Sequence, residues 1–102
     1  MAFERIMGLD VVDEVEYQKY REQMTPILGA FGGAFGYDFK ISAVLKSKTE
    51  ASINRVFTIE FPSEETMHEF FNDSTYLAVK KQYFDNAVKS TTVISLHEKN
   101  NK

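Results

Sequence analysis

The residues of this chain that could transfer protons are few. Two histidines are present, His68 and His97, and either could act as a general base because imidazole titrates near neutral pH. Asp38 and Glu60 fall on one face of the predicted sheet by strand alternation. If buried together, they would have shifted pKa values suited to acid–base work; the alternative is a cross-strand ion pair on a wet surface. Asp38, Glu60 and His68 are the candidate catalytic residues.

Four tyrosines are the candidate ligand-binding residues. Tyrosine combines an apolar body with a polar tip, which suits the wall of a small-molecule pocket. Such a pocket is expected between the helices and the sheet. For Tyr17 and Tyr20, which follow helical spacing, core packing is the alternative role. The candidates are Tyr17, Tyr20, Tyr37 and Tyr76.

The sequence predicts neither a metal site nor a cofactor site. Cysteine is absent, and the two histidines do not have the His-x-x-x-His spacing of a metal site. Carboxylates alone would hold only a hard, loosely bound ion. The glycines at 29, 32 and 33 follow a predicted helix rather than opening one, so they lack the N-terminal amides that bind phosphate. No Gly-x-Ser-x-Gly motif indicates a nucleophilic serine.

The charge balance disfavours a nucleic-acid partner. The 102 residues have a net charge of −3, and no basic cluster is larger than Lys80–Lys81. No apolar run approaches the roughly 20 residues of a membrane span. The first ten residues, MAFERIMGLD, do not have a charged leader followed by an apolar stretch. We therefore expect a cytoplasmic protein without a membrane or nucleic-acid partner.

Alternating apolar residues predict four strands, at 3–11, 34–45, 55–61 and 90–96. In the first strand, Arg5 shares a face with the apolar residues Phe3, Met7, Leu9 and Val11. Asp13 is the expected N-cap of a first helix, which ends at Gly32–Gly33. The polar stretch 46–52 predicts a loop between the second and third strands.

The second helix is predicted to break in two. It begins after the N-cap Ser63, and the residues Asn72, Asp73 and Ser74 then offer a stop and a fresh cap before a helix over about 75–88. The resulting order, βαββαβ, is the ferredoxin-like α+β arrangement, an antiparallel four-stranded sheet with helices on one face. We predict a single domain over 1–97 and a disordered polar tail over 98–102.

The sheet face opposite the helices mixes apolar and charged residues. An exposed apolar patch usually marks an interaction site. We therefore expect two sheets to pack together in a two-fold homodimer. The residues predicted on this face are Glu4, Ile6, Asp38, Lys40, Val44, Val56, Thr58 and Glu60.

The stretch 60–76 resembles the signature of a family called domain of unknown function 1330, which belongs to the dimeric α+β barrel superfamily. The similar positions are the strand end Glu60-Phe61-Pro62-Ser63, the aromatic helix with Phe70 and Phe71, and the restart at Ser74 and Tyr76. Asp13, Tyr17, Tyr20 and the Gly32–Gly33 turn resemble the family's first half. The resemblance implies a dimeric α+β barrel in which a broken second helix recurs. Related barrels include cofactor-independent monooxygenases, haem-degrading enzymes and small isomerases.

The chain departs from the family where the family usually has arginines. Asp38, Phe39 and Lys40 occupy its Arg-Gly-Gly stretch, and Tyr83 lies near its arginine in the last helix. If those arginines bind an anion in the family, this chain has lost or changed that site. We expect a homodimeric barrel that binds a small apolar or aromatic molecule, and a monooxygenase- or isomerase-like reaction without a cofactor if it is an enzyme. The alternative is a non-catalytic dimerisation or sensing module.

Overall fold

One four-stranded antiparallel sheet forms the floor of the protein, and the helices cover one face of it. The computed structural model describes residues 2–99. The strands lie in the order β2-β3-β1-β4, so the two central strands are the first and third of the chain. This topology confirms the predicted ferredoxin-like βαββαβ fold. The elements are β1 (Ala2–Val11), α1 (Glu14–Ala30), β2 (Ala34–Lys40), β3 (Arg55–Phe61), α2 (Glu64–Phe71), α3 (Ser74–Val79), a π-helical segment (Lys80–Phe84), α4 (Asp85–Ala87) and β4 (Val88–Lys99).

The core lies between the helices and the inner face of the two central strands. Phe3 pairs with Phe61 and Met7 pairs with Phe57, so the alternating apolar residues of β1 and β3 meet on this face. All four residues are buried. Helix α1 covers them with a buried stripe at helical spacing, made of Tyr17, Tyr20, Met24 and Leu28.

Three side-chain caps fix where the helices begin. Asp13 accepts a hydrogen bond from the Glu16 amide at the start of α1, and Ser63 accepts one from the Thr66 amide at the start of α2. The predicted break is present: α2 ends before Asn72, and Asp73 caps α3 by accepting from the Tyr76 amide at 2.9 Å. The helical chain then continues through the π-helical segment and α4.

Strand β2 differs from its prediction in length and in register. It ends at Lys40 rather than at residue 45, because its partner β3 begins at Arg55. Beyond that pair the ladder closes with a hydrogen bond from the Ile41 amide to the Asn54 carbonyl at 2.8 Å. The alternating residues beyond it belong to the connection to β3, where Leu45 is fully exposed.

A bulge in β2 breaks the alternation. Phe35 pairs with Ile59 and Asp38 pairs with Phe57, so Gly36 and Tyr37 together oppose the single residue Thr58. The Tyr37 amide donates to the Thr58 hydroxyl at 2.8 Å. A β-carbon at Gly36 would collide with that hydroxyl, so a larger residue here would have to displace the Thr58 side chain from its hydrogen bond.

Strand β4 extends beyond the predicted end at residue 96. Lys99 pairs with Ala2 and Glu98 pairs with Phe3, because the N-terminal end of β1 offers them backbone partners. These two residues of the predicted tail thus belong to the sheet. The rest of that tail, residues 100–102, and residue 1 lie outside the described residues.

Candidate functional site

A cavity of about 170 Å³ lies between the inner face of the sheet and the helices. Strands β1, β2, β3 and β4 contribute its floor, and α1, α2, α3 and the π-helical segment contribute its walls. Its apolar lining includes Met7, Leu9, Met24, Phe57, Ile59 and Phe84. Its polar lining includes Arg5, Tyr17, Tyr20, Arg21, Tyr76 and Lys80.

A pair of tyrosine hydroxyls forms one polar point of the cavity. Tyr20 of α1 and Tyr76 of α3 are hydrogen bonded through their hydroxyl oxygens at 2.8 Å. The pair uses only one of its two hydroxyl hydrogens, which leaves the other free to donate. Burial raises the pKa of both side chains, most strongly that of Tyr20, so both stay protonated at neutral pH.

The helix break is what brings Tyr76 to this position. Asp73 follows the end of α2 and caps the start of α3, and Tyr76 lies in the first turn of α3. The Tyr76 ring packs 4.4 Å from the Phe70 ring of α2, which holds its hydroxyl toward α1. The break therefore serves both the packing of the two pieces and the polar lining of the cavity.

Arg21 of α1 is a compensated cation on the cavity wall. Its guanidinium stacks 3.8 Å from the centre of the Phe35 ring, and its Nε donates to the Tyr17 hydroxyl at 2.9 Å. Its Nη2 lies 3.0 Å from Asp38 Oδ2, at ion-pair distance but without the geometry of a hydrogen bond.

Asp38 is the counter-charge of two arginines. Arg55 donates to its two carboxylate oxygens, each at 2.8 Å, in the bidentate arrangement that a guanidinium allows. Partial burial by itself would raise the pKa of Asp38. The hydrogen bond from Arg55 and the charges of Arg21 and Arg55 outweigh burial and hold that pKa below its ordinary value.

Arg5 differs from both of these arginines. It lies in the middle of β1 on the inner face, 4.5 Å from the centre of the Phe71 ring. Its Nε is buried and has no hydrogen-bond partner among residues 2–99. Burial lowers its pKa, and the tyrosines of the hydroxyl pair, Tyr76 and Tyr20, act on it in the opposite direction.

The structure brings three of the four candidate tyrosines together. Tyr17, Tyr20 and Tyr76 line the cavity. Tyr37 does not, because the bulge in β2 turns it to the outer face of the sheet, where its exposed ring stacks on Phe39. Whether any of them binds a ligand stays a prediction.

The three candidate catalytic residues lie apart. Asp38 is on the inner side of the sheet edge beside Arg21 and Arg55, whereas Glu60 is on the outer face. The expectation that these two share a face is wrong, because the bulge shifts the parity of β2 after Phe35. His68 is exposed on α2, with Nε2 3.7 Å from Glu64 Oε2. None of the three lines the cavity.

Arg5, Arg21 and Lys80 are the charged residues of the cavity that sequence reasoning missed. For Arg5 a signal was present, since strand alternation already places it among apolar residues on the inner face. Charged residues are seldom buried unless they are paired, so an arginine at such a position indicates a partner. For Arg21 and Lys80 the sequence pattern gave no comparable signal, because both belong to helical surfaces.

A second polar cluster lies on the outer face, between β1, β3 and β4. His97 Nε2 is 3.0 Å from Glu4 Oε1, and His97 Nδ1 is 2.6 Å from the Ser95 hydroxyl. Lys99 donates to Glu60 at 3.0 Å and lies 3.5 Å from Glu4. The cavity described above does not include these residues.

Residues 2–99 contain neither a metal-binding cluster nor a membrane-spanning helix. No group of three or more His, Asp and Glu side chains is arranged to hold a metal ion within that range. None of its helices is both long and apolar enough to cross a bilayer.

Comparison with known proteins assigns a family but no reaction. The family model described as Domain of unknown function (DUF1330) matches residues 5–96. No curated protein sequence matches the chain. The cavity-lining residues from Arg5 to Thr91 all fall within the matched range.

Solved structures share the fold at low sequence identity. A protein of unknown function from Rhodopseudomonas palustris has a TM-score of 0.81 and 16% identity, covering 99% of this chain and 84% of its own. A dabb family protein with a ferredoxin-like fold from Mesorhizobium loti has a TM-score of 0.66 and 12% identity over 98% of both chains. A dimeric protein of unknown function from Bacteroides fragilis has a TM-score of 0.61 and 11% identity over 95% of both chains.

Proposed function

We propose that this chain, which belongs to the DUF1330 family, binds a small molecule with an apolar or aromatic body in the cavity between its sheet and its helices. The observation that supports the proposal is the cavity itself, which combines a mostly apolar lining with a few polar groups. That combination is typical of small-molecule sites. Solid packing would instead have been expected of a purely structural domain.

The size of the cavity limits the ligand. It measures about 170 Å³, and an apolar cavity of roughly 150 Å³ in a protein core accepts benzene. A molecule with one six-membered ring, or an equally small branched chain, therefore fits within it. A larger ligand would need the helices to move apart.

The chemistry of the lining favours binding over acid–base catalysis. A monooxygenase- or isomerase-like reaction without a cofactor would need a base that reaches the ligand. The lining residues include no carboxylate and no imidazole. Burial raises the pKa values of the tyrosines, so they stay protonated at neutral pH and are not available to accept a proton. We therefore favour a binding or sensing role.

A homodimer is a second part of the proposal. Tyr37 and Phe39 on the outer face are 68% and 51% exposed, and their rings stack on each other. Exposed aromatic pairs of this kind are typical of interfaces. Similar structures from Bacteroides fragilis and Thermobifida fusca are described as dimeric. The cytoplasmic location stays a prediction from the sequence.

The experiment that tests ligand binding titrates benzamide, a neutral single-ring probe, into the full chain and follows it by NMR. We expect shifts confined to residues that line the cavity. Ile59→Phe, which adds a ring to the cavity floor, should abolish them. Val56→Phe is the matched control, because it adds a ring to the outer face of the same strand. Shifts that survive in Ile59→Phe, or the absence of shifts with both benzamide and its charged counterpart benzoate, would contradict the proposal.

A further inference from the structure

From the cavity-binding proposal, on which this step rests, we infer that the ligand is an anion, a small single-ring or branched carboxylic acid whose carboxylate pairs with Arg5. This assignment follows from how the cations of the cavity are compensated, from the neighbouring hydroxyls and from the volume that remains for the body of the ligand.

Three cations line the cavity, and two of them already have carboxylate partners. Arg21 lies 3.0 Å from Asp38, and Lys80 donates to Asp85 at 2.9 Å. No Asp or Glu within residues 2–99 forms an ion pair with Arg5, whose Nε is buried without a hydrogen-bond partner. Arg5 is thus the only one of the three whose charge the described part of the chain leaves uncompensated.

An uncompensated cation in a partly dry site is costly. Arg5 is partly buried and its Nε is cut off from water, so the hydration lost there costs free energy unless a partner or hydrogen bonds replace it. Arginine does not escape this cost by releasing its proton, because the guanidinium stays charged at neutral pH. The Phe71 ring below Arg5 supplies a cation–π contact only. A carboxylate from a ligand would supply the missing charge and bidentate hydrogen bonds.

The tyrosine pair can also bind the carboxylate of the ligand. Arg5, Tyr20 and Tyr76 line the same cavity, and the Phe71 ring on which Arg5 stacks lies 5.6 Å from the Tyr76 ring. Their raised pKa values keep both hydroxyls protonated, so the unused hydroxyl hydrogen is available to a ligand oxygen. A carboxylate can accept from Arg5 and from a tyrosine at once, since it has two oxygens.

The ring or branched chain of the ligand would occupy the apolar part of the cavity. Met7, Leu9, Met24 and Ile59 line that part, with the edges of Phe57 and Phe84. A cavity of this volume leaves room for one ring beside a carboxylate. A fatty acid or a two-ring acid exceeds it.

The test compares benzoate with benzamide, which has the same size and ring but no charge. Both probes are titrated by calorimetry into the full-length wild-type protein at neutral pH. We expect benzoate to bind at least about tenfold more tightly, the range of a hydrogen bond to a charged group. Arg5→Gln should remove the preference for benzoate while benzamide still binds, and Arg5→Lys should retain part of it. Lys19→Gln, which lowers the net charge at an exposed site on α1, is the matched control.

Each outcome separates the two proposals. If neither probe binds, the cavity-binding proposal fails and this inference fails with it. If benzamide binds as tightly as benzoate, the cavity is a ligand site but the ligand is not selected for its charge, which overturns the inference alone. This comparison needs only the wild-type protein, so it stands even if Arg5→Gln does not fold. A preference for benzoate that survives in a folded Arg5→Gln protein would also overturn it.

Discussion

The two faces of the sheet use charge differently. On the inner side three arginines each stack on an aromatic ring, Arg5 on Phe71, Arg21 on Phe35 and Arg55 on Tyr17, and Lys80 lies over the Phe84 ring. On the outer face the cation is Lys99, which bridges two glutamates in a surface open to water. A guanidinium is planar and weakly hydrated, so it tolerates a half-dry aromatic wall, whereas an ammonium keeps its hydration. The aromatic contacts of its cations thus distinguish the inner side from the outer face.

The faces also differ in how firmly their aromatic residues are held. Phe70 is fully buried against Phe31, Phe61, Phe71 and Tyr76. Tyr37 and Phe39 touch each other but leave most of their rings in water. We therefore expect the inner face to determine folding stability and the outer face to determine association.

The largest expected effect comes from Phe70→Ala. It should lower the free energy of unfolding by about 3–5 kcal/mol, because it empties a fully buried site whose neighbours are rigid rings. Urea denaturation followed by circular dichroism measures this. Phe39→Ala removes a ring of the same size from the outer face and should change the value by less than about 0.5 kcal/mol in dilute protein. Equal losses in the two variants would remove the distinction between the faces.

An intermediate effect is expected from Asp38→Asn. The pKa of Asp38 is lowered in the folded protein, so its contribution is present above the unfolded pKa of about 3.9 and is lost as the pH falls through the folded value. Because the side chain is 31% exposed, we expect a loss of only about 1 kcal/mol at neutral pH.

Urea unfolding measured from neutral to acid pH checks the sign of that effect. The difference between the wild-type protein and Asp38→Asn should be constant well above pH 4 and shrink toward zero below it. Asp85→Asn, which breaks an exposed pair with Lys80, is the control and should show a smaller difference at neutral pH. A difference that grows in acid would contradict the assigned role of Asp38.

The smallest effect on folding is expected from Tyr37→Asp, which places a charge on the outer face. Its free energy of unfolding should change by no more than about 0.5 kcal/mol in dilute protein. Native mass spectrometry should show the wild-type protein at twice the chain mass of 11.7 kDa and Tyr37→Asp at the monomer mass. Val15→Asp, at an exposed apolar position on α1, should remain a dimer. A monomeric wild-type protein would refute the proposed pairing.

The sequence predicted the parts of the fold that local rules control. Asp13 and Ser63 cap helices because a side-chain oxygen in an extended residue finds a nearby amide, which depends on neighbours in sequence only. The stripe that includes Tyr17 and Tyr20 was also predictable, since helical spacing alone brings them to one side. Family membership and the broken second helix were predicted from short motifs and are confirmed.

Which side chains of β2 point to each face of the sheet could not be predicted from local sequence rules. Strict alternation put Phe35, Tyr37 and Phe39 together, but the bulge separates Phe35 from the other two. Gly36 was the available sign, since an isolated glycine within a strand often marks a bulge. The ion pairs of Asp38 with Arg21 and Arg55 could not be predicted from the sequence either, because they join three elements that are distant in sequence.

The bulge at Gly36 and Tyr37 has a consequence for how this protein can diverge. Before it, the side chain of Phe35 contributes to the cavity; after it, Tyr37 and Phe39 contribute to the outer face. A single short strand therefore supplies side chains to two separate surfaces. Under the functions proposed above, substitutions on one side of the bulge would alter ligand binding and those on the other side would alter dimerisation, so the two properties could change independently.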